Sequence, residues 1–350
     1  MADVVLHIGG FKTGTSYIQS LFHQNRGELA KRSVFYPDFA YGNAHHALTA
    51  NWNSAPEALT GAARAGSALK LWDQLIQDYG TRPGILFLSS ELFSHPDISL
   101  KELKNLLEQF ESTRIVYTMR RQAELAQSVW LQLARSGKWR ALHAFVRTAL
   151  EHRAIAGVTL DHLALYRRLV RVFSPAQIHV LNFHSLSRQT QGLERALLSL
   201  CGLCLSELDL IPPKKECRNI SPDPLAYYMA TRLDPRPDDH LIETVMQAVR
   251  QGKPENSPTS LLARHEFFKF QSRFEKRNEA LAHRLRPYQK DFSFSEAPPP
   301  AQMIFREDAD TAPWIFLASY FLEQSKSIQQ PGPIQILKSR WGHANFSEMS

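Results

Sequence analysis

Residues 7–17 read His7-Ile8-Gly9-Gly10-Phe11-Lys12-Thr13-Gly14-Thr15-Ser16-Tyr17. An apolar run, Val4-Val5-Leu6, precedes this stretch, and an amphipathic segment from Tyr17 to Leu29 follows it. The pattern predicts a buried strand, a glycine-rich turn and the start of a helix. Backbone N–H groups at such a turn point the same way, and the helix dipole adds partial positive charge there. We therefore expect the turn to bind a phosphate or a sulfate.

The turn differs from the ATP-binding Walker A loop at one position. Like that loop it has Gly9, four residues and then Gly14, but Thr15 stands where the Walker pattern has lysine. The lysine lies inside the turn instead, at Lys12. This displacement separates the turn from ATP-type loops and indicates another class of phosphate-binding loop.

A second motif, further along the chain, completes a resemblance to a known family. The run Lys12-Thr13-Gly14-Thr15-Ser16 resembles the 5′-phosphosulfate loop of sulfotransferases, which use 3′-phosphoadenosine-5′-phosphosulfate (PAPS) as donor. The family also has an arginine at the end of a later strand and a serine eight positions on. Residues 114–121 form such a strand here, with Arg120 at its end. Ser128 lies about two turns into the following helix, so both side chains can reach one anion.

The resemblance implies a PAPS-dependent sulfotransferase that transfers a sulfuryl group to a hydroxyl or amine of an acceptor. It covers residues 3–290 with gaps, and the Gly-rich C-terminal donor-binding segment of the animal cytosolic members is not evident. Tyr17 falls where those members stack an aromatic ring on adenine, but a tyrosine there can equally belong to the core or to the helix surface. The donor-binding residues that the resemblance implies are Gly10, Phe11, Lys12, Thr13, Gly14, Thr15, Ser16, Tyr17, Arg120 and Ser128.

Three residues are candidates for catalysis. Lys12 suits the stabilisation of negative charge on the leaving phosphate. Glu91 follows the strand after which animal cytosolic sulfotransferases place their catalytic histidine, and glycan-modifying members use a glutamate base. His46, in a polar loop with His45, is the rival base. The simpler interpretations are that Glu91 is an acid at a helix N-terminus and that His46 is a loop residue or an acceptor contact.

The order of apolar runs and amphipathic segments predicts an α/β fold. Strands alternate with helices, so we expect a three-layer parallel sheet with helices on both faces, the P-loop-NTPase-like fold of sulfotransferases. We expect a PAPS-binding core over 1–210, a helical acceptor-side region of the same domain over 211–295 and a C-terminal extension over 296–350. The predicted strands are 3–8, 33–37, 84–88, 113–120 and 177–183. The predicted helices of the core are 15–31, 56–79, 99–110, 122–136, 139–152, 160–173 and 190–203.

Composition agrees with one enzyme that acts on anions. The chain has 350 residues, 43% of them hydrophobic, and a net charge of +7. Such a charge favours anionic ligands, which fits PAPS, although nucleic acid is another partner of basic proteins. Lys and Arg are spread along the chain without a basic run, so we expect no nucleic acid partner.

Other sequence patterns predict the cellular compartment of the protein and whether it binds a metal. No long apolar stretch and no signal peptide are evident, which favours a cytoplasmic protein without a membrane span. Three cysteines agree with a reducing compartment. Cys201 and Cys204 form a C-x-x-C motif, with Cys217 nearby, but no fourth ligand has good spacing, so we expect core or incidental cysteines. We expect no metal, because the sulfotransferase resemblance requires none and no strand-end aspartate of Walker B type follows the loop.

Two other functions remain open from the sequence. A P-loop nucleotide kinase or NTPase would depend on Mg²⁺ and bind ATP, and the displaced lysine argues against it. A non-catalytic regulator would bind a nucleotide or nucleic acid without turnover. The acceptor itself is not specified by the chain. A bacterial polysaccharide, a glycolipid and a small hydroxylated metabolite are the candidates.

Overall fold

The computed structural model describes residues 1–39, 42–138, 141–213, 222–254, 257–294, 300–309 and 311–329. The chain divides into two units. The first comprises Met1–Ser221 and His265–Pro299, and the second comprises Pro222–Arg264 and Pro300–Ser350. The division into 1–210, 211–295 and 296–350 stays a prediction.

A parallel sheet of five strands forms the centre of the first unit. Its strands follow the order β2-β3-β1-β4-β7, and a separate antiparallel pair consists of β5 and β6. The strands are β1 (Ala2–His7), β2 (Val34–Phe35), β3 (Gly84–Ser89), β4 (Ser112–Met119), β5 (Ala154–Ile155), β6 (Val158–Thr159) and β7 (Ile178–Asn182). Because β1 is central, its Leu6 pairs with Leu88 on one side and Ile115 on the other.

Helices account for most of the remaining described structure. In chain order they are α1 (Thr15–Gln24), α2 (Arg26–Lys31), α3 (Pro56–Ala65), α4 (Ala68–Tyr79), α5 (Leu100–Leu107), α6 (Gln122–Arg135), α7 (Leu142–His152), α8 (His162–Leu169), α9 (Phe183–Ser187), α10 (Gly192–Leu200), α11 (Pro224–Leu233), α12 (Asp239–Arg250), α13 (Arg264–Leu285) and α14 (Thr311–Gln329). Of these, α11, α12 and α14 belong to the second unit.

The sheet is covered on both faces, which confirms the predicted three-layer α/β fold. Successive strand residues point to opposite faces. Val4 and Leu6 therefore join one core cluster, with Trp72 of α4, while Val5 joins another, with Phe22 of α1. Both clusters consist of buried residues, which explains why β1 and β3 contain continuous apolar runs.

The first predicted helix, 15–31, is two helices. Asn25 separates α1 from α2, and its side-chain amide donates to the carbonyl oxygen of Leu21 at 2.8 Å. The same amide group donates to the Ile211 carbonyl at 2.9 Å and accepts from the Ile211 N–H at 2.8 Å. This pairing joins residues 186 positions apart, so local periodicity could not have revealed it.

The second predicted helix, 56–79, is also interrupted. Gly66 ends α3 with a φ of +92°, a conformation that favours glycine. Ser67 then caps α4 by accepting from the Lys70 N–H at 3.1 Å. The glycine and serine are the local signals that a second helix begins there.

Three short or terminal elements were not expected from the sequence. The pair β5–β6 has two residues in each strand and turns through Ala156 and Gly157, both at positive φ. Strands of that length show no alternation. The helix α9 begins where Asn182 ends β7, because the Asn182 side chain accepts from the N–H groups of His184 and Ser185. The third is α14, in the predicted C-terminal extension.

A stripe of phenylalanines on α13 belongs to the core. Phe267, Phe270 and Phe274 recur at helical spacing, which predicts a core face rather than a platform for a glycan. All three are buried, and the rings of Phe270 and Phe274 are stacked with centroids 6.5 Å apart. The core assignment is confirmed.

We expect Phe274→Ala to lower the free energy of unfolding by about 3–5 kcal/mol, because the removed ring leaves a cavity. Urea denaturation followed by circular dichroism measures the change. Phe268→Ala is the matched control on the same helix, since Phe268 is 45% exposed, and its loss should stay below about 1 kcal/mol. Equal losses in the two variants would contradict this packing.

Candidate functional site

The glycine-rich turn between β1 and α1 is held against the neighbouring strand. The Thr118 N–H donates to the Gly9 carbonyl at 2.6 Å, and the Thr13 hydroxyl donates to the Gly10 carbonyl at 2.6 Å. A Cβ on Gly10 would overlap the Thr118 carbonyl oxygen, so the backbone can approach β4 only with glycine there. Lys12 adopts a φ of +60°, which is uncommon for a residue with a side chain.

Glu91 packs directly on this turn. A Cβ on Gly9 would lie 2.7 Å from the Glu91 Cβ. Glu91 begins a short 3₁₀ helix after β3, so its side chain starts at the carboxyl end of the sheet, beside the loop. The Gln19 side-chain N–H donates to Glu91 Oε2 at 3.1 Å and to the Ser89 hydroxyl at 3.4 Å. Gln19 therefore orients Glu91, a role that no local sequence pattern indicates.

Arg120 connects the loop to the helix that follows β4. Its Nη1 donates to the Lys12 carbonyl at 2.8 Å and to the Ser128 hydroxyl at 3.1 Å. Its Nε faces Glu124 Oε2 at 3.4 Å. Burial lowers the pKa of Arg120, and Glu124 opposes that shift. The structure thus brings together Lys12, Arg120 and Ser128, three residues of the predicted donor site.

A buried tyrosine and histidine support the backbone of Arg120. His162 Nε2 lies 2.8 Å from the Arg120 carbonyl oxygen, so that nitrogen carries the proton and donates. The Tyr117 hydroxyl then donates to His162 Nδ1 at 2.8 Å. Burial lowers the pKa of His162 to about 4 and raises that of Tyr117, so both stay neutral near pH 7. Neither residue was predicted for the site.

Positive charge collects around Lys12. Burial lowers the pKa of the Lys12 ammonium, Arg120 and Arg135 lower it further, and Glu91 opposes them. Within the part of the chain that the structure describes, the ammonium makes no hydrogen bond. Arg121 and His184 lie near the same edge, where each faces Glu124 at 3.8 Å. An anionic ligand here would relieve the repulsion between the Lys12 ammonium and the Arg120 and Arg135 guanidinium groups, whereas burial lowers the pKa of His184 and favours its neutral form.

The two histidines of the polar loop have different surroundings. His45 is buried, accepts from the Ser89 N–H at 2.9 Å and donates to the Pro37 carbonyl at 2.9 Å, so it fastens the loop to β3. His46 Nδ1 lies 2.7 Å from the Ser90 hydroxyl, and either atom can be the donor. His46 also lines a cavity of about 590 Å³.

That cavity borders the start of α1. Ser16 and Gln19 line it from α1, and His46 lines it from the loop. Of the two candidate bases, His46 lines the cavity itself. Glu91 lies behind the wall, where it accepts a hydrogen bond from the lining residue Gln19. A ligand in the cavity would therefore lie next to the glycine-rich turn.

The other predicted donor residues occupy the loop or the first turn of α1. Thr13 and Thr15 are buried, Phe11 is half-buried, and Gly14 and Ser16 are exposed. Tyr17 is half-buried against the apolar cluster that contains Leu193. Its predicted stacking on adenine stays a prediction.

Among the residues that the structure describes, no group of three or more His, Cys, Asp or Glu side chains is arranged to hold a metal ion. Nor is any helix among them long and apolar enough to cross a membrane. Cys201 is buried and Cys204 is exposed, while Cys217 lies outside the described residues.

Comparison with known proteins gives matches among solved structures. The chain is similar to a sulfotransferase from Alicyclobacillus acidocaldarius, with 16% identity and a TM-score of 0.39 over 69% of this chain and 95% of that one. It is also similar to the sulfotransferase domain from the curacin biosynthetic pathway, with 11% identity and a TM-score of 0.35 over 64% of this chain and 78% of that one. Both are sulfotransferases. No family model matches the chain, and no curated protein matches it.

Three buried histidines should make stability depend on pH. Burial lowers the pKa of His7, His45 and His162 to about 4, below the unfolded value of about 6.5. The unfolded chain therefore binds protons between pH 6.5 and 4 that the native chain does not, so the free energy of unfolding falls as pH falls through this window.

We expect each of these histidines to lower the free energy of unfolding by about 1.5 kcal/mol between pH 6.5 and pH 5. Urea denaturation at several pH values measures the slope, and His45→Gln should reduce it. His152→Gln, on the exposed end of α7, is the control and should leave the slope unchanged. A slope that is the same in all three proteins would contradict the burial of a neutral His45.

Proposed function

We propose that this chain is a sulfotransferase that moves a sulfuryl group from PAPS to a hydroxyl or amine of an acceptor. The observation that carries the proposal is the contact of one arginine with both halves of the predicted donor site. Arg120 donates to the Lys12 carbonyl and to the Ser128 hydroxyl. A donor with phosphates at both its 5′ and 3′ positions needs two anion sites at a fixed separation. The two hydrogen bonds of Arg120 fix the loop after β1 relative to α6, which carries Ser128.

The residues present fit such a donor. The turn from Gly9 to Gly14, Lys12 and the N-terminus of α1 suit the 5′-phosphosulfate, since they offer N–H groups and a cation. Arg120 and Ser128 suit the 3′-phosphate as charge-assisted and neutral donors. When bound, the donor supplies an activated sulfuryl group whose leaving group is a nucleotide phosphate.

In the transfer step, Lys12 stabilises the leaving phosphate and a base accepts the acceptor proton. The acceptor oxygen forms a bond to sulfur while the bond from sulfur to the phosphate oxygen breaks, and its electron pair stays on the phosphate. Lys12 stabilises that growing charge. The acceptor proton passes to Glu91 or to His46. Glu91 is favoured, because it packs on the loop and Gln19 orients it. A base at His46 Nε2 requires that Nδ1 carry the proton and donate to Ser90.

Arg120 and Ser128 should discriminate nucleotides by the 3′-phosphate. We expect Arg120→Lys to weaken binding of adenosine 3′,5′-bisphosphate about tenfold or more, and Ser128→Ala about fivefold. Binding of AMP, which has no 3′-phosphate, should change little in Ser128→Ala, and in Arg120→Lys it should fall less than binding of the bisphosphate, because Arg120 also holds the loop at the Lys12 carbonyl. Calorimetry with both ligands measures this, and Ser199→Ala on the exposed face of α10 is the control. An equal loss of affinity for both nucleotides would show that Arg120 and Ser128 do not bind the 3′-phosphate.

Lys12 should act mainly in the transition state. We expect Lys12→Met, which removes the charge but keeps an unbranched side chain only one atom shorter, to lower kcat about 10²–10³-fold and to weaken donor binding much less. Slow hydrolysis of PAPS serves as the activity assay before an acceptor is known. A Lys12→Met protein that keeps near-normal kcat and only needs more donor would make Lys12 a binding residue instead.

The two candidate bases can be separated by conservative variants. If Glu91 is the base, Glu91→Gln should retain donor binding while transfer falls about 10²–10⁴-fold. His46→Asn should then mainly raise the acceptor KM, because His46 lines the cavity. Steady-state kinetics with a sulfated product as readout decide between them. A nearly active Glu91→Gln and a dead His46→Asn would move the base to His46.

A further inference from the structure

A buried histidine ends β1, directly before the glycine-rich turn. His7 is 1% exposed and follows three fully buried apolar residues, Val4-Val5-Leu6. Its ring lies beside that of Phe87, with centroids 6.3 Å apart. In the part of the chain that the structure describes, the buried His7 Nε2 makes no hydrogen bond. Burying a polar group without a partner costs free energy, so the histidine indicates a role for its other ring nitrogen, Nδ1.

His7 Nδ1 begins a chain of hydrogen bonds that leads to Glu91. It lies 2.9 Å from the Ser89 hydroxyl oxygen, because His7 and Ser89 pair across β1 and β3 and their side chains leave the sheet on the same face. From α1, the Gln19 side-chain N–H groups donate to Ser89 Oγ at 3.4 Å and to Glu91 Oε2 at 3.1 Å. Ser89 and Gln19 are 0% and 3% exposed, so little water competes for these bonds.

The hydrogen atoms available set the direction of each bond. The carboxylate of a general base can only accept, so Gln19 turns its NH₂ group, rather than its carbonyl oxygen, towards Glu91. The second N–H of that group reaches Ser89 Oγ, which accepts it. The hydrogen of the Ser89 hydroxyl is then donated to His7 Nδ1, and the His7 proton resides on Nε2. A reversed amide would place the Gln19 oxygen against two acceptors, the Ser89 lone pairs and the Glu91 carboxylate.

This arrangement leaves one carboxylate oxygen of Glu91 available for a proton. Gln19 binds Oε2, whereas Oε1 makes no hydrogen bond with the residues that the structure describes. The backbone of Glu91 is fixed as well, since it packs on the turn at Gly9 and its carbonyl oxygen accepts from the Ser94 hydroxyl at 2.8 Å. Holding Oε2 therefore sets the direction of Oε1. A misplacement of a reacting group by about 1 Å can lower a rate about 10²-fold.

We propose that His7 and Ser89 are positioning residues of the transfer step, which fix the amide of Gln19 so that its N–H aims the Glu91 carboxylate. Both residues are buried and act through Glu91 rather than on the donor or the acceptor. The inference rests on the proposed function with Glu91 as the base, and it identifies the residues that orient that base. An apolar residue at position 7 would fill the space beside Phe87 but would give the Ser89 hydroxyl no acceptor.

The first experiment replaces the imidazole of His7 in two ways. His7→Leu removes the acceptor, so we expect kcat for PAPS hydrolysis to fall about tenfold or more, with donor KM and binding of adenosine 3′,5′-bisphosphate unchanged. His7→Asn should keep most of kcat, because its side-chain oxygen can accept near the place of Nδ1.

Urea denaturation of the same two variants separates positioning from a structural role. Leucine fills the apolar site better than asparagine, so His7→Leu should be at least as stable as His7→Asn although it is the slower enzyme. An order of kcat that follows the order of stability would overturn the role of His7.

The second experiment removes the Ser89 hydroxyl and does not depend on the folding of the His7 variants. Ser89→Ala should lower kcat about tenfold or more with donor binding unchanged. Thr113→Ala is the control, because Thr113 is buried near the start of β4, away from the carboxyl ends of the strands. A normal kcat in Ser89→Ala would overturn the proposal.

A double variant tests whether Ser89 acts through Glu91. In a Glu91→Gln protein, Ser89→Ala should cause no further loss of kcat, because the base that Ser89 helps to orient is already gone. Radiolabelled PAPS makes these slow rates measurable. A further loss as large as that in the wild-type background would contradict the proposal.

The failure of this inference can be told from the failure of the proposed function. Wild-type protein that does not bind adenosine 3′,5′-bisphosphate would remove the sulfotransferase assignment itself. Protein that binds the bisphosphate, hydrolyses PAPS and keeps its kcat in both Ser89→Ala and His7→Leu would retain that assignment and reject the positioning role.

Discussion

The proposed donor site depends on the hydrogen bonds of one partly buried guanidinium. Arg120 reaches the Lys12 carbonyl on one side and the Ser128 hydroxyl on the other. It thereby fixes the loop that follows β1 relative to the helix that follows β4. Tyr117 and His162 fix the Arg120 backbone in turn. Loss of the guanidinium would release the loop carbonyl and leave polar groups of the site without partners.

The burial of two cations, Lys12 and Arg120, close together is the main energetic constraint on this site. The pKa values of Lys12 and Arg120 are lowered by burial, so the folded chain holds these charges at a cost. Glu91 and Glu124 offset part of the repulsion. A polyanionic ligand would offset more of the repulsion between these cations. The charge of the loop therefore agrees with its proposed role in binding PAPS.

Much of the fold could be predicted because its signals are local. The apolar runs gave the five parallel strands, and the spacing of Arg120 and Ser128 placed two side chains that do lie together. Contacts between distant residues could not be predicted in the same way. The break at Asn25 depends on Ile211, and the orientation of Glu91 depends on Gln19, 72 positions away. The catalytic and donor-binding roles stay predictions.

The most direct test of the account is the nucleotide preference of the wild-type protein. Calorimetry would compare adenosine 3′,5′-bisphosphate, ADP and ATP, each with and without Mg²⁺. We expect the bisphosphate to bind at least about tenfold more tightly than ADP or ATP, because Arg120 and Ser128 are proposed to bind its 3′-phosphate. Equal affinity for ADP and the bisphosphate, or a preference for ATP with Mg²⁺, would contradict it.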